Sequence, residues 1–124
     1  MKWLTKGMVE SFHQESLVRF GGAPGIRDDG LLESALARPE NIHVYRPEAD
    51  AFTLAAAYCA GIVRNHPFVD GNKRTGLLSA VVFLQVNGVT LVFDEASIVT
   101  MVVGLAAGEI GEEEFSEWLR RAAR

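Results

Sequence analysis

Nine residues, His66-Pro67-Phe68-Val69-Asp70-Gly71-Asn72-Lys73-Arg74, gather a histidine, a carboxylate, an amide and two cations, and the apolar run Leu77 to Leu84 follows at once. Each of these types suits one task in phosphate chemistry. His66 has the one side chain whose ordinary pKa suits proton abstraction near neutral pH. Asp70 is a hard oxygen ligand for Mg²⁺, which takes one or two carboxylates beside substrate phosphates. Asp70-Gly71-Asn72 is turn chemistry and can start a helix. The first-turn N–H groups, from about Gly71 to Arg74, would then converge on one spot and attract phosphate. Gly71 has no side chain to block a close approach. Arg74 can grip phosphate oxygens with two parallel hydrogen bonds, and Asn72 can donate to another. Lys73 adds bulk and positive charge. The set predicts a nucleotide-dependent transferase: His66 as base, Asp70 as metal ligand, and Gly71, Asn72, Lys73 and Arg74 as phosphate cradle. The plainer reading is a capped helix with solvated charges. Order, spacing and the helix that follows all favour the site instead.

Such a site needs a rigid platform, and the flanking sequence supplies one. Gly71 to about Val86 reads as a helix that is apolar nearly all round, which marks it as the central helix of a bundle. Asp50 can cap a preceding helix, Ala51 to about Asn65, whose small residues Ala55, Ala56, Ala57, Ala60 and Gly61 permit close contact on most sides. Pro67 ends that helix and drives His66 out of the α region, so the base is expected on a loop between two buried helices. Phe68 reads as an apolar anchor for this loop.

Thr5 can cap a helix running to about Phe20, and Gly21-Gly22 ends it. His13, within that helix, reads as a surface or helix-packing residue. Gly21 to Gly30 is a loop, and Asp28 or Asp29 caps a helix from Leu31 to Arg38 that Pro39 terminates. Asn41 to Pro47 then reads either as an ordinary connection or, through the alternation Ile42-His43-Val44-Tyr45, as an edge for an extended peptide. After Asn87-Gly88 comes a short extended link, Thr90 to Phe93. Asp94 caps a helix to about Ala106 or Ala107. The last helix starts at Glu112-Glu113-Glu114 and ends on Arg120, Arg121 and Arg124, a distribution that complements the helix dipole.

The chain of 124 residues is expected to form one all-α domain, 1–124, a compact bundle of about six helices. Hydrophobic residues make up 48 % and the net charge is −4; the pI is about 5.3. This balance argues against a nucleic-acid surface, which needs clustered Lys and Arg. The one cysteine, Cys59, reads as buried filler. The N-terminus lacks an apolar signal core. The longest near-continuous apolar run, Leu54 to Val63, falls short of the roughly 20 residues that span a bilayer, so no membrane partner and a cytoplasmic location are expected.

The motif resembles the signature of the Fic/Doc family, His-x-Phe-x-Asp/Glu-Gly-Asn-x-x-Arg, with His66, Phe68, Asp70, Gly71 and Asn72 in place. Adenylylating members carry glycine after the asparagine. Lys73-Arg74 is instead similar to the death-on-curing (Doc) toxins, which look like kinases. The segments Gly21 to Asp28, Leu31 to Pro39 and Gly104 to Ile110 extend the likeness over essentially the whole chain. The resemblance implies a toxin of a toxin–antitoxin system that uses ATP and Mg²⁺ to phosphorylate a hydroxyl, a threonine of elongation factor Tu. It also implies a flap for the target segment, expected within Asn41 to Pro47. Alternatives are an adenylyltransferase using the same site, or a non-catalytic partner-binding module. The internal inhibitory pattern of some members, Ser/Thr-x-x-x-Glu-Gly/Asn, is missing. Inhibition would then come from an antitoxin whose C-terminal helix fills an apolar groove.

Overall fold

In the computed structural model, which describes residues 1–124, the first helix to consider is α3 (Ala51–Asn65), because the others are arranged about it. Every residue from Leu54 to Val63 is buried, ten in succession. Asp50 caps it by accepting from Thr53 N at 2.9 Å. Its small side chains let neighbours approach. A Cβ placed on Gly61 would lie 3.1 Å from Ala35 Cβ, and one on Gly76 would lie 3.2 Å from the Cys59 carbonyl. The central place expected for the motif helix therefore belongs to α3. The motif helix, α4 (Asn72–Val86), packs against α3 and α1 (Lys6–Phe20) and keeps a partly exposed face with Leu77, Leu78, Val81 and Val82. Alanines and glycine at the bundle centre win over leucines because they let three helices come close at once.

Three further helices complete the all-α fold: α2 (Asp29–Tyr45), α5 (Glu95–Ala107) and α6 (Glu112–Ala122). Thr5 caps α1 through its side chain, as expected. Pro39 does not end α2, which runs to Tyr45 with the proline inside it. Leu32, Ala35, Leu36 and Pro39 are buried and Ile42 packs on the same core. These positions follow helical spacing, so burial along one stripe outweighs the hydrogen bond that proline cannot make. Asn41–Tyr45 is accordingly helical and presents no extended edge, which corrects the expected flap position. The only strand-like pairings are two isolated antiparallel bridges. Leu91 pairs with Ala123, closing the extended link onto the chain's end, and Ile26 pairs with Phe68 beside the motif. No helix is long and apolar enough to cross a membrane.

Candidate active site

α3 ends at the base. His66 is its C-cap, with N–H donating to Ile62 O, and it adopts φ 53° and ψ 53°. It is the only residue other than glycine with positive φ. Pro67 forbids the right-handed helix at this point, and the left-handed turn throws the imidazole outward, where it is exposed. The chain then dives back into the protein. Phe68 is buried and its ring stacks on the His13 imidazole, centroids 3.9 Å apart.

Asn72 holds that dive in place. Its side-chain oxygen accepts from Phe68 N at 3.0 Å, and its amide donates to Phe68 O at 2.9 Å. The residue is 4 % exposed. The expectation that this amide reaches a phosphate is therefore corrected: the side chain ties the loop, and only its backbone N–H faces the site. Gly71, at φ 79°, is the N-cap of α4 and supplies no side-chain cap. Its N–H donates to Asp70 Oδ1 at 2.8 Å, so it too is engaged rather than free. The N–H groups of Asn72, Lys73 and Arg74 have no partner in the protein, and Thr75 N begins the helical bonding by donating to Gly71 O. Three donors at a positive helix end are an anion site.

Asp70 is held from two sides. Oδ1 takes the Gly71 N–H and Oδ2 takes the Ala23 N–H at 3.1 Å. These two backbone donors hold its pKa below the usual carboxylate range, with Arg74 and His13 adding to the effect. Each carboxylate oxygen accepts one N–H and keeps a lone pair, and the group is exposed, so the donor set fits one Mg²⁺ ligand completed by phosphate oxygens. No cluster of three or more His, Cys, Asp or Glu side chains offers a metal a full protein cage.

Lys73 is exposed, with no ion pair or hydrogen bond within the protein. Arg74 lies differently from expectation. Its Nε donates to Ser16 Oγ at 2.8 Å, its Nη2 donates to Gly21 O at 2.9 Å, and its guanidinium sits over the Phe20 ring. It thereby joins α4 to the end of α1. A cavity of about 270 Å³ is lined by Val63, His66, Asp70, Gly71, Asn72, Lys73 and Arg74, so all six expected residues meet in one place. A second, apolar cavity of about 490 Å³ lies between α1 and α4, and Arg74 borders both.

Several residues that build this site had no assigned part. His13 Nε2 bonds the Asp70 carbonyl at 2.8 Å, fixing the loop from beneath. Val9, His13 and Ser16 are the buried positions of α1, at helical spacing, and two polar residues on a buried stripe were the available signal. The 21–28 loop closes the other side. Val69 N donates to Gly25 O, and Arg27 N and Asp28 N both donate to Pro67 O. Gly22, at φ 125°, lies so close that a Cβ there would come within 2.8 Å of Asp70 Oδ2. Cys59 is fully buried, and burial pushes its thiol well above its ordinary pKa, so it is packing rather than a nucleophile.

Comparison with known proteins agrees with this geometry. The model of the Fic/DOC family matches residues 3–84, which include α1 to α3, all but the last two residues of α4, and the whole motif. The chain belongs to the Fic/Doc family. Within it, the chain is of the Doc type. It is 36 % identical over 121 residues, 98 % of its length, to a protein named "Protein kinase doc" from Escherichia phage P1, 95 % of which is covered. It is also 46 % identical over 79 residues, 62 % of its length, to "Toxin Doc" of Mycolicibacterium smegmatis, and spans 60 % of that relative. The family match stops at residue 84, short of α5 and α6, but the phage relative extends across both.

Proposed function

We propose that this Fic/Doc domain is the toxin of a toxin–antitoxin pair and acts as a protein kinase. It moves the γ-phosphate of ATP to a target hydroxyl, by resemblance a threonine of elongation factor Tu. The observation that carries this reading is the cavity over the start of α4, where an exposed histidine, an anionic carboxylate, a free lysine and three unpartnered N–H groups face one space. The relatives' names, a protein kinase and a toxin, point the same way.

His66 takes the proton from the target hydroxyl as its oxygen bonds to phosphorus. The bond from that phosphorus to the bridging oxygen breaks, leaving ADP. The N–H groups of Asn72, Lys73 and Arg74, with the Lys73 ammonium, face the charge that builds on the phosphate oxygens. Asp70 would hold Mg²⁺, which neutralises phosphate charge when bound. Lys73 stands where adenylylating relatives have glycine, and its bulk and charge favour γ-phosphoryl over nucleotidyl transfer. The 21–28 loop, with Ile26 exposed beside the motif, replaces Asn41–Pro47 as the segment over which the target would lie.

The apolar cavity lined by Phe20, Leu77, Leu78, Val81 and Phe93 supports a trans-acting antitoxin whose C-terminal helix seats there. The test is phosphate transfer to a host extract by wild type and by His66→Ala, with and without Mg²⁺. Wild type with Mg²⁺ is expected to phosphorylate a single main target. His66→Ala is expected to lose 10²- to 10⁴-fold in rate, the scale of one general base. Unchanged transfer by the variant would refute the assignment of the base.

A further inference from the structure

Arg27 lies outside the motif, on the loop that faces it, and its contacts converge on the base. Nε donates to His66 O at 2.6 Å and Nη2 donates to Asn65 O at 2.8 Å. Its own N–H donates to Pro67 O at 2.6 Å. One residue thus engages three successive carbonyls, 65, 66 and 67. No carboxylate pairs with this guanidinium. An exposed arginine with no anionic partner, directed instead at carbonyls, is an unusual placement. Those carbonyls close the C-terminal end of α3, where positive charge is favoured.

The conformation being held is a strained one. A non-glycine residue in the left-handed region persists only when its surroundings over-determine it. The bond from His66 N to Ile62 O fixes the residue from the helix side, and Pro67 excludes the alternative helical turn. Neither fixes the His66 carbonyl, and so neither sets ψ of His66, the torsion that orients the Cα–Cβ bond relative to the following peptide. The Arg27 fork does. A planar guanidinium bonding two adjacent carbonyls leaves little freedom for rotation about that peptide.

We propose that Arg27 is a positioning residue for the base, holding the His66 peptide in its left-handed turn so that the imidazole faces the phosphate cavity. The kinetic part of this inference rests on the kinase reading above; the conformational part does not. An ordinary helix-end cation would stabilise α3 and nothing more, so the test must separate the two.

Two measurements do so, on the full chain with Arg27→Ala, Arg27→Gln and Arg27→Lys. In the first, kcat and the KM for ATP are measured for protein phosphorylation. Arg27→Ala is expected to lose at least tenfold in kcat, with KM for ATP within about twofold and melting within a few degrees of wild type. Arg27→Lys, which can hold one carbonyl, should recover part of the loss, and Arg27→Gln less. Wild-type kcat in Arg27→Ala, or a loss that follows melting temperature alone, overturns the proposal. The second is the backbone chemical shifts of His66 by NMR in the absence of nucleotide. Wild type should show the left-handed signature and Arg27→Ala an averaged one. Unchanged His66 shifts in the variant also overturn it. If wild type transfers no phosphate, the kinase reading fails by itself, and the NMR comparison still decides the role of Arg27.

Discussion

At the scale of single residues, the site works because side chains outside the motif hold its backbone. His13 is the plainest case. Its Nε2–H donates to the Asp70 carbonyl, and its ring stacks on Phe68. His13→Leu keeps the bulk but removes the donor to that part-buried carbonyl, which costs about 1 kcal/mol. The expected outcome is a lower denaturation midpoint together with weaker Mg²⁺-ATP binding, read by calorimetry. Asp70 gives a pH prediction. Its pKa in the fold lies below the unfolded value of about 3.9, so its stabilising contribution is complete above that value and disappears as pH falls through the lower folded one. Titration calorimetry with Mg²⁺ should therefore show no loss of binding from protonation of Asp70 between about pH 8 and 5; a loss centred inside that window would contradict this. The motif residues were legible in sequence because their types are rare at such spacing. The roles of Asn72 and Arg74 were not. Phosphate binding and loop tying demand the same donors, and only the fold shows that Asn72 answers to Phe68 and Arg74 to Ser16 and Gly21.

At the scale of elements, close helix packing sets the height of the platform. Gly76 of α4 faces α3, and an added Cβ would lie 2.9 Å from Val63 Cγ1 and 3.2 Å from the Cys59 carbonyl. In a free helix Gly→Ala would stabilise by about 1 kcal/mol. Here the neighbours are a β-branched side chain with one favoured rotamer and a helix backbone, and overpacking of this kind costs about 1–3 kcal/mol. Gly76→Ala should therefore be net destabilising in chemical denaturation, with α4 displaced and activity reduced; a stabilised variant would show that the contact relaxes without cost. Helix starts were readable from Thr5, Asp28 and Asp50, whose side chains make the expected caps, whereas Asp94 sits at the N-cap of α5 without the side-chain bond expected of it. The end of α2 was not, because Pro39 signals a stop locally while the stripe through Ile42 rewards continuation. The centre of the bundle was misassigned for a related reason: α4 carries the larger apolar side chains, Leu77 to Leu84, but α3 is the more apolar helix as a whole and its alanines allow the closer approach.

At the scale of the whole molecule, two cavities meet at Arg74, one polar and one apolar, so an occupant of either touches a residue of the other. The six-helix architecture was legible because each helix carried its own signals, but the junction was not, since Glu15 to Phe20 and Arg74 to Val81 are far apart in sequence. Leu78 lines the apolar cavity without belonging to the core. Leu78→Glu should leave folding unchanged and weaken binding of a cognate antitoxin helix by about 2 kcal/mol or more, the scale of an interface hot spot, as read by pull-down and calorimetry. Unchanged affinity would place the antitoxin elsewhere. The central claim, that Lys73 and the α4 N-terminus direct γ-phosphoryl transfer, is tested most directly by the mass of the modified target. Wild-type protein with Mg²⁺-ATP should add a single phosphate, with label arriving from the γ position. A target carrying AMP, labelled from the α position, would contradict the account.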